Sequence, residues 1–319
     1  MDPERCWVSH PQEWQPLFRR FCAALPGRVR LSAWGQRGGQ EVLALTIGDP
    51  DRAPFRLLAA VPHGHEPAPT AAAVDVAAQL LTGAHLDGTP ADLPVGDILA
   101  GALVTLVPDA NPQGRARSPV RCWDGTAEDN EALWRHAFGV AADGSRFGRY
   151  PEWRFSAHRP RRPGLVYEQI DDDLWVEPNT SRRSAYCRAV DELWAAYGYT
   201  HLLDMHQHEG SEAALLPAEF DALPEAVRGR LERWSARLVA AWRSAGGDPR
   251  PEPAVPYRGQ PRQQFFLDFW SGRCPGMLRL TSEVRNNRRE PGGTAPTPLA
   301  LQFRTALAAL QATLTPPFP

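Results

Sequence analysis

The sequence of 319 residues predicts an α/β domain built around parallel strands. The first observation is that an Ala-rich segment of helical character, residues 71–81, lies between two apolar runs of strand length, residues 55–61 and 102–107. A strand, a helix and a second strand in this order form a crossover between parallel strands. The second observation is the length, which one large α/β domain can fill, so we expect a single domain over residues 1–319.

The composition is that of a soluble globular protein and excludes several partners. Hydrophobic residues make up 43% and charged residues 23% of the chain, which provides enough apolar material for a sizeable core. The net charge of −2 gives no overall attraction to nucleic acid or to an anionic membrane. No window has the roughly 18 apolar residues of a membrane span, and residues 1–14 lack the apolar core of a secretory signal. We therefore expect a cytoplasmic protein that binds neither nucleic acid nor membrane.

The basic residues and the cysteines limit the reactions that this chain can catalyse. All 35 Lys and Arg positions are Arg, so the chain has no Lys. This excludes Schiff-base and lysine general-base reactions, because they need an amine whose pKa can be lowered. Together with many Ala, Gly and Pro residues, the bias suggests a GC-rich bacterial genome. The five Cys residues are scattered without a Cys-x-x-Cys pair, so we expect reduced thiols.

The amino-terminal third contains a short helix followed by strands. The helix is predicted over residues 12–25, and extended runs at 29–34, 41–47 and 55–61 are separated by Gly and by Asp-Pro. The continuous apolar run 102–107 has the length of a strand.

Residues 108–178 are rich in Arg, Pro, Gly and Trp and contain one helical segment, near residues 128–138. A stretch this long without periodicity inside a compact domain is usually a functional loop system. We expect it to form a wall of the active-site mouth. The elements predicted after it are an amphipathic helix at 180–197, a short strand at 201–205, a long helix at 220–244, a Pro-rich loop at 248–261, a strand at 277–284 and a closing helix at 298–314.

The first chemical motif follows the predicted strand 55–61 and reads PHGHEP over residues 62–67. Its His63 and Glu66 are three residues apart in a tight turn, in which Gly64 lets the backbone bend sharply. Both side chains can then point the same way and converge on one ion. This spacing suits a pair of zinc ligands.

The second motif reads LLDMHQH over residues 202–208. Alternation along a strand places Asp204, His206 and His208 on one side. We take His206 as the third ligand, because two His and one carboxylate leave the fourth tetrahedral position for water, as in a catalytic zinc site. Asp204 is a candidate for the outer carboxylate that orients a ligating His.

The third motif is Glu283 within the apolar run 278–285, which reads LRLTSEVR. A carboxylate in that setting is costly unless it is paired or functional. One interpretation is a salt bridge with Arg285 or Arg279. The interpretation that we favour is that Glu283 acts beside the metal as general base and then as proton donor.

In this order, the motifs resemble those of the zinc carboxypeptidases related to carboxypeptidase A. The family pattern is a His-x-x-Glu pair, a distant His on a later strand, and a Glu late in the chain within a Thr-x-Glu strand, here residues 281–283. Residues 107–114, VPDANPQG, resemble the family's Asn-Pro-Asp-Gly turn, and residues 133–135, LWR, resemble its Trp-Arg segment. The resemblance extends from about residue 29 to about residue 312, nearly the whole chain.

The resemblance implies a three-layer α/β/α sandwich around a twisted, mixed, mostly parallel sheet of about eight strands. It places the site at the carboxyl ends of the strands, which is the general rule for such sheets. It also implies a zinc cofactor bound by His63, Glu66 and His206, with Glu283 as the catalytic base. Arg135 would polarise the substrate carbonyl and stabilise the oxyanion.

The chain departs from the family where the substrate's terminal carboxylate is bound. The family uses an Asn-Arg pair there, whereas here Asn179 is followed by Thr180, and residues 182–183, both Arg, lie inside the predicted helix. The chain therefore resembles an atypical bacterial member of the family.

Four arginines could offer a carboxylate an equivalent two-pronged donor. Arg115 and Arg117 are the first candidates, and Arg149 and Arg154 are the alternatives.

Three more residues are expected to contact the substrate. Tyr257 lies in the loop before the last predicted strand, where the family has a mobile Tyr. His65 and His208 flank the metal ligands and should line the pocket. The alternative for these two is a second metal site.

These expectations describe a zinc-dependent hydrolase that cleaves an amide bond of a peptide or amino-acid conjugate, with metal-bound water as the nucleophile. The nearest alternative is an N-acyl amino acid deacylase of the desuccinylase and aspartoacylase type, whose His-Gly-x-Glu turn resembles residues 63–66. That type adds a β-rich carboxyl-terminal domain, whereas residues 298–314 are predicted to be helical. A non-catalytic binding protein on the same fold is the third alternative, and the complete set of ligands together with Glu283 argues against it.

Overall fold

The computed structural model describes residues 1–118, 130–286 and 297–319. Its helices, in chain order, are α1 (Pro3–Cys6), α2 (Pro11–Ala24), α3 (Pro67–Thr82), α4 (Val95–Gly101), α5 (Pro112–Arg115), α6 (Asn130–Phe138), α7 (Phe155–His158), α8 (Ala185–Tyr197), α9 (Glu225–Ser244), α10 (Pro261–Trp270) and α11 (Leu299–Leu314). Its strands are β1 (Val29–Gly35), β2 (Glu41–Ile47), β3 (Phe55–Ala60), β4 (Ala102–Val107), β5 (Gly139–Val140), β6 (Glu152–Arg154), β7 (Arg162–Pro163), β8 (Glu168–Gln169), β9 (Leu174–Val176), β10 (His201–His208), β11 (Ala213–Leu215) and β12 (Leu278–Arg285).

The central sheet has seven strands in the order β1-β2-β4-β3-β10-β12-β11. The middle strands β4, β3, β10 and β12 are parallel neighbours, β2 and β11 run antiparallel to the strands that they join, and β1 is antiparallel to β2. The prediction of a mixed, mostly parallel sheet is therefore confirmed, with seven strands in the described part of the chain where about eight were expected.

Helices cover both faces of this sheet because side chains alternate along each strand. On β10, Leu203 and Met205 belong to a core that also contains residues of α2, α3, α9 and α11. Leu202 belongs to the opposite core, with residues of α8 and with Phe269 of α10. The chain thus forms the predicted three layers, and the chemical side chains of β10 and β12 project on the α8 and α10 face.

Two differences from the predicted elements affect the site. Helix α8 begins at Ala185 and not at residue 180, because the Ser184 hydroxyl accepts the backbone N–H of Cys187 and caps the helix. Residues 182–183 therefore precede the helix. Helix α10 was not predicted at all, since it follows a Pro-rich loop and lacks one continuous apolar stripe.

The loop system between β4 and β9 is organised around a small aromatic core. The loop system contains the short elements from α5 to β9. Asn111 connects it to the end of β4, because its side-chain amide donates to the carbonyl oxygens of Leu165 and Val166 at 3.0 and 3.1 Å. The beginning of the predicted helical segment, residues 128–129, lies outside the described residues. Among the helices of the described ranges, none has both the length and the apolar character needed to cross a bilayer.

Candidate functional site

The site lies where the parallel strands β3, β10 and β12 end on one edge of the sheet. The turn with His63 and Glu66 follows β3, and His206 lies near the end of β10. In the β10–β12 register His206 is opposite Glu283, and Asp204 is opposite Thr281. Sequence segments more than 200 residues apart are in this way brought to one place.

The turn after β3 packs directly on the turn after β4. A Cβ atom on Gly64 would lie 2.5 Å from the backbone nitrogen of Arg115 and 2.7 Å from the carbonyl oxygen of Asn111. These distances leave no room for any other residue. Gly64 is thus required by the close approach of two backbones, in addition to the bend that the sequence suggested.

The atoms of the three predicted ligands converge. His63 Nδ1 lies 3.0 Å from Glu66 Oε1, His206 Nδ1 lies 3.1 Å from Glu66 Oε2, and the two Nδ1 atoms are 3.2 Å apart. Two atoms bound to one zinc ion at about 2.1 Å and at the tetrahedral angle would be about 3.4 Å apart. The observed spacings are close to that value.

The electrostatics of this corner also suit a cation. Burial alone would raise the pKa of Glu66, but the charges of His63 and His206 hold it well below its usual range, so the carboxylate is ionised. Its Oε2 atom is buried, and His206 Nδ1 lies 3.1 Å from it. Two imidazoles and an ionised carboxylate are a donor set that fits zinc.

Each His of the triad is oriented by a second polar group. His206 Nε2 lies 3.1 Å from Asp204 Oδ2, so Asp204 contacts the ligand of its own strand. His63 Nε2 lies 3.0 Å from Asn179 Oδ1 and 3.6 Å from Glu177 Oε1. Outer contacts of this kind fix the tautomer and the ring orientation of a ligating His. The contacts of Asn179 and Glu177 were not predicted.

His65 and His208 both line the cavity next to the triad. The ligand atoms of His63, His65 and Glu66 all lie within 4.8 Å of one another, and His65 Nε2 is 3.6 Å from Glu66 Oε1. Burial lowers the pKa of His65 to about 3, so its ring is neutral. His208 Nε2 lies 2.7 Å from the carbonyl oxygen of Ser211.

The side chain of Glu283 is half-buried and faces the cavity. Its Oε2 atom has no hydrogen-bond partner within the described ranges. Burial raises its pKa, although the nearby rings of His208 and His206 act in the opposite direction. Arg279 pairs with Glu219, and the salt-bridge interpretation of Glu283 is therefore not supported for that Arg.

Arg135 does not reach the cavity, which contradicts its predicted role at the oxyanion. Its Nε donates to Glu131 at 2.9 Å, its Nη1 donates to the carbonyl oxygen of Gly144 at 2.6 Å, and its side chain is 39% exposed. The neighbouring Trp134 lines the cavity instead. Successive helical residues are rotated by about 100°, so the two side chains of a Trp-Arg pair in α6 cannot face the same way.

The two first candidates for carboxylate binding are also misplaced. Arg115 is buried behind the turn after β4 and donates to the hydroxyls of Ser118 and Ser9. Arg117 donates to the carbonyl oxygens of Gly164 and Tyr167, both at 2.8 Å. Both guanidinium groups are used to hold loops together, so the predictions for Arg115 and Arg117 were wrong.

Arg149 is the one of the four candidate arginines that lines the cavity. Its Nε donates to Glu177 Oε1 at 2.7 Å, and its guanidinium carbon lies 5.1 Å from the centre of the Phe138 ring. Glu177 is fully buried and also accepts from Arg262 at 2.8 and 2.9 Å. Burial would raise the pKa of Glu177, but the two arginines lower it to about 2.

The cavity has a volume of about 330 Å³, and outside the triad apolar side chains and charged ones such as Glu209 and Arg250 line it together. Tyr257 lines it, with its ring stacked on Phe266 at a centroid distance of 5.9 Å. Its backbone is left-handed, with φ of 54°, a strained conformation of the kind that collects at functional sites.

No protein-family profile matches the sequence, and no curated protein matches it either. Solved structures do match. The metallo-carboxypeptidase from Burkholderia cenocepacia is 16% identical, with a TM-score of 0.54 over 94% of this chain and 67% of that chain. The carboxypeptidase A from Helicoverpa armigera is 13% identical, with a TM-score of 0.60 over 97% of this chain and 72% of that chain. For the metallo-carboxypeptidase from Pseudomonas aeruginosa in complex with (2-guanidinoethylmercapto)succinic acid, the identity is 13% and the TM-score 0.54, over 94% and 67% of the two chains. The chain therefore has the fold of the metallocarboxypeptidases, as the resemblance of its motifs predicted.

Proposed function

We propose that this chain is a zinc-dependent hydrolase of the metallocarboxypeptidase type that cleaves an amide bond of a peptide or amino-acid conjugate. One observation carries the proposal: His63 Nδ1, His206 Nδ1 and the two carboxylate oxygens of Glu66 form contacts of 3.0 to 3.2 Å beside the carboxylate of Glu283. The shared fold supports it.

In this proposal His63 Nδ1, Glu66 and His206 Nδ1 hold the ion. When bound, zinc supplies a Lewis acid that makes water acidic near neutral pH and draws electron density from a carbonyl oxygen. Asp204 and Asn179 keep the two rings in the orientation that presents Nδ1 to the site.

Glu283 moves the proton. Its Oε2 atom takes a proton from the attacking water and then returns it to the nitrogen of the leaving amine. The raised pKa of Glu283 supports this use, because a carboxylate with a raised pKa is a stronger base toward the water in the first step.

Arg149 takes the place expected for Arg115 and Arg117. Its Nε and Nη2 both donate to Glu177, and the Nη1 group remains for the substrate. The buried cluster of Arg149, Arg262 and Glu177 has two cations and one anion, and a carboxylate of the substrate would balance it. We therefore infer a substrate with a free carboxylate near the amide.

Metal analysis and product analysis of the purified protein test the proposal. We expect about one zinc per chain, lost in His63→Ala and His206→Ala and retained in His65→Ala, which is the matched control. Products released from peptides and from N-acyl amino acids then separate a peptidase from a deacylase. Zinc that is absent, or that is fully retained in His206→Ala, would reject the site.

A further inference from the structure

A second cavity, of about 540 Å³, lies outside the candidate site, between α9, α10 and the segment that leads into β12. Its volume is within the range of small-molecule sites. Met277 and Leu278 line it at the amino end of β12, whereas Glu283 lies five residues further along that strand. Leu278 and Glu283 are thus about 16 Å apart. Three residues line both cavities, namely Pro217, Trp270 and Arg279.

Apolar side chains line two sides of this second cavity. Val227 and Leu231 are one turn apart on α9, so both lie on one side of that helix. Leu267 and Trp270 are three residues apart on α10 and share a side of their helix in the same way. Val227, Leu267 and Trp270 are only half-buried. An apolar chain between the two helices would remove this surface from water, which is favourable in proportion to the area covered.

The charges around the second cavity do not cancel. Arg230, Arg273 and Arg279 line it, together with the carboxylate of Glu219. Arg279 pairs with Glu219, and Arg273 Nε donates to Asp191 at 2.7 Å. Arg230 forms no ion pair with a carboxylate in the described part of the chain. The cavity therefore has one positive charge without an anionic partner, and a ligand with a single negative charge would complement it.

Arg230 is placed where it can hold the polar end of such a ligand. It follows Val227 by three residues and precedes Leu231, so it lies beside the apolar side of α9. Its side chain is exposed, and its Nη2 atom lies 3.5 Å from His201 Nε2, which is a weak contact. A guanidinium has five N–H donors, and a carboxylate can accept two of them in parallel.

We infer that the second cavity is a binding site for an amphiphilic monocarboxylate, that is, a carboxylate carried by an unbranched apolar chain. The carboxylate pairs with Arg230, and the chain lies between α9 and α10. Its far part contacts Trp270 and Arg279, which also line the candidate site. The inference does not depend on the proposed metal or on the proposed reaction.

Calorimetric titration of the purified protein with hexanoate, octanoate and decanoate tests the site. The affinity should rise about fourfold per methylene, because each added group is buried between the two helices. Octanoate should bind about tenfold more tightly than octanol, which has no charge for Arg230 to pair with. Octylammonium should bind more weakly than octanol. Equal affinities for octanoate and octanol would overturn the assignment of a carboxylate ligand.

Two variants test the two parts of the site separately. Arg230→Met should lower the affinity for octanoate about tenfold and leave that for octanol unchanged. Arg233→Met is the matched control, because Arg233 is an exposed residue of the same helix that does not line the second cavity. It should bind both compounds as the wild type does. Leu267→Trp fills the space between α9 and α10 and should abolish the binding of both.

The variant His206→Ala distinguishes the second cavity from the candidate site, since a carboxylate can also bind a metal ion. Octanoate should bind His206→Ala as it binds the wild type. Loss of binding in this variant would place the ligand at the candidate site and reject the second one. No binding to the wild type, or equal octanoate affinity in the wild type and in Arg230→Met, would reject the inference as well. A protein without zinc that still binds octanoate rejects only the proposed function.

Discussion

At the scale of one residue, Glu283 is a side chain that destabilises the folded state and is nevertheless present. It is a half-buried carboxylate on an apolar strand, with one buried oxygen that has no partner among the described residues. Burial of a carboxylate without full hydrogen bonding destabilises the folded state by roughly several kcal/mol. Retention of such a group beside two imidazoles is best explained by proton transfer.

The variant Glu283→Gln should lose catalysis and keep everything else. Removal of a positioned general base lowers kcat by about 100-fold to 10,000-fold, and we expect a loss in this range for amide hydrolysis. Zinc content and melting temperature should match the wild type. Glu209→Gln is the control, because Glu209 lines the cavity and is assigned no proton transfer. Turnover that is unchanged in Glu283→Gln would remove the proposed base.

Substitutions of Arg149 and Arg135 test two different predictions. The structure places Arg149 at the cavity, whereas the sequence pattern placed Arg135 there. Arg149→Met should lower kcat/KM by about 100-fold, because the carboxylate of the substrate loses its charged donor. Arg135→Met should leave kcat/KM near the wild-type value, because Arg135 is bound to Glu131 and Gly144 outside the cavity. Steady-state kinetics on one amide substrate measure both, and the opposite ranking would restore Arg135 to the site.

The proposal of His63, Glu66 and His206 as ligands came from the sequence and stays a prediction, whereas the sequence did not show which arginine lines the cavity. His63 and Glu66 are close in sequence, and His206 lies on a strand whose alternation is visible, so their chemistry can be recognised before folding. The choice of Arg149 depends on Glu177, a buried carboxylate 28 residues away that directly follows β9. A carboxylate immediately after an apolar strand was the available signal.

At the scale of single elements, helix α8 depends on the loop before it. Ser184 caps the helix, and Glu168 Oε2 accepts the backbone N–H of Ala185, its first residue, at 2.9 Å. Burial raises the pKa of Glu168 from 4.5 to about 7. A carboxylate at a helix amino terminus is favourable by itself, and here the loss of water outweighs that benefit.

This shift makes the stability dependent on pH. A carboxyl whose pKa is raised in the folded state binds more protons when folded, so its contribution is complete below about pH 4.5 and is lost as the pH rises through about 7. The loss is about 3 kcal/mol at most. Glu168→Gln should therefore be more stable than the wild type at pH 8 and similar at pH 4.5. Urea unfolding of both proteins at the two pH values measures the difference, and an equal difference at both would contradict it.

The elements that were predicted well are those whose apolar residues follow one clear pattern. Strands β2 and β4 were found with their observed bounds, because each is a continuous apolar run between turn signals. Helix α10 was missed because Phe269 points to the core whereas Phe266 and Trp270 line the cavity, so its apolar residues do not form one stripe. Some side chains of α10 contact the cavity and others contact the core. The local periodicity of the sequence cannot show such a division.

For the whole molecule, the proposed metal joins distant parts of the chain. Its proposed ligands come from the turn between β3 and α3 and from β10. They lie at the carboxyl ends of β3 and β10, which are neighbours in the central sheet. An ion that binds only the folded state stabilises it by about 4 kcal/mol at a free concentration about 1,000-fold above its Kd. The single domain over residues 1–319 and the cytoplasmic location stay predictions.

Removal of zinc by a chelator should accordingly lower the melting temperature. A shift of several degrees is expected, and it should be reversed when zinc is added back. His65→Ala should show the same shift, and His206→Ala should show none, because it has no zinc to lose. Differential scanning calorimetry measures all three proteins. A chelator effect of equal size in His206→Ala would place the stabilising ion elsewhere.

The chain from Arg149 through Glu177 to the ring of His63 has a consequence for how such an enzyme can diversify. A substitution at Arg149 removes one of the two arginines that hold Glu177, which lies 3.6 Å from His63 Nε2, so a new substrate preference gained there would come with altered metal retention. Arg279 is bonded to Glu219 and stacked on Trp270, neither of which is a proposed ligand. The two ends of the cavity are therefore unequal starting points for evolution or engineering: one is tied to the hydrolytic centre, and the other can drift while that centre stays intact.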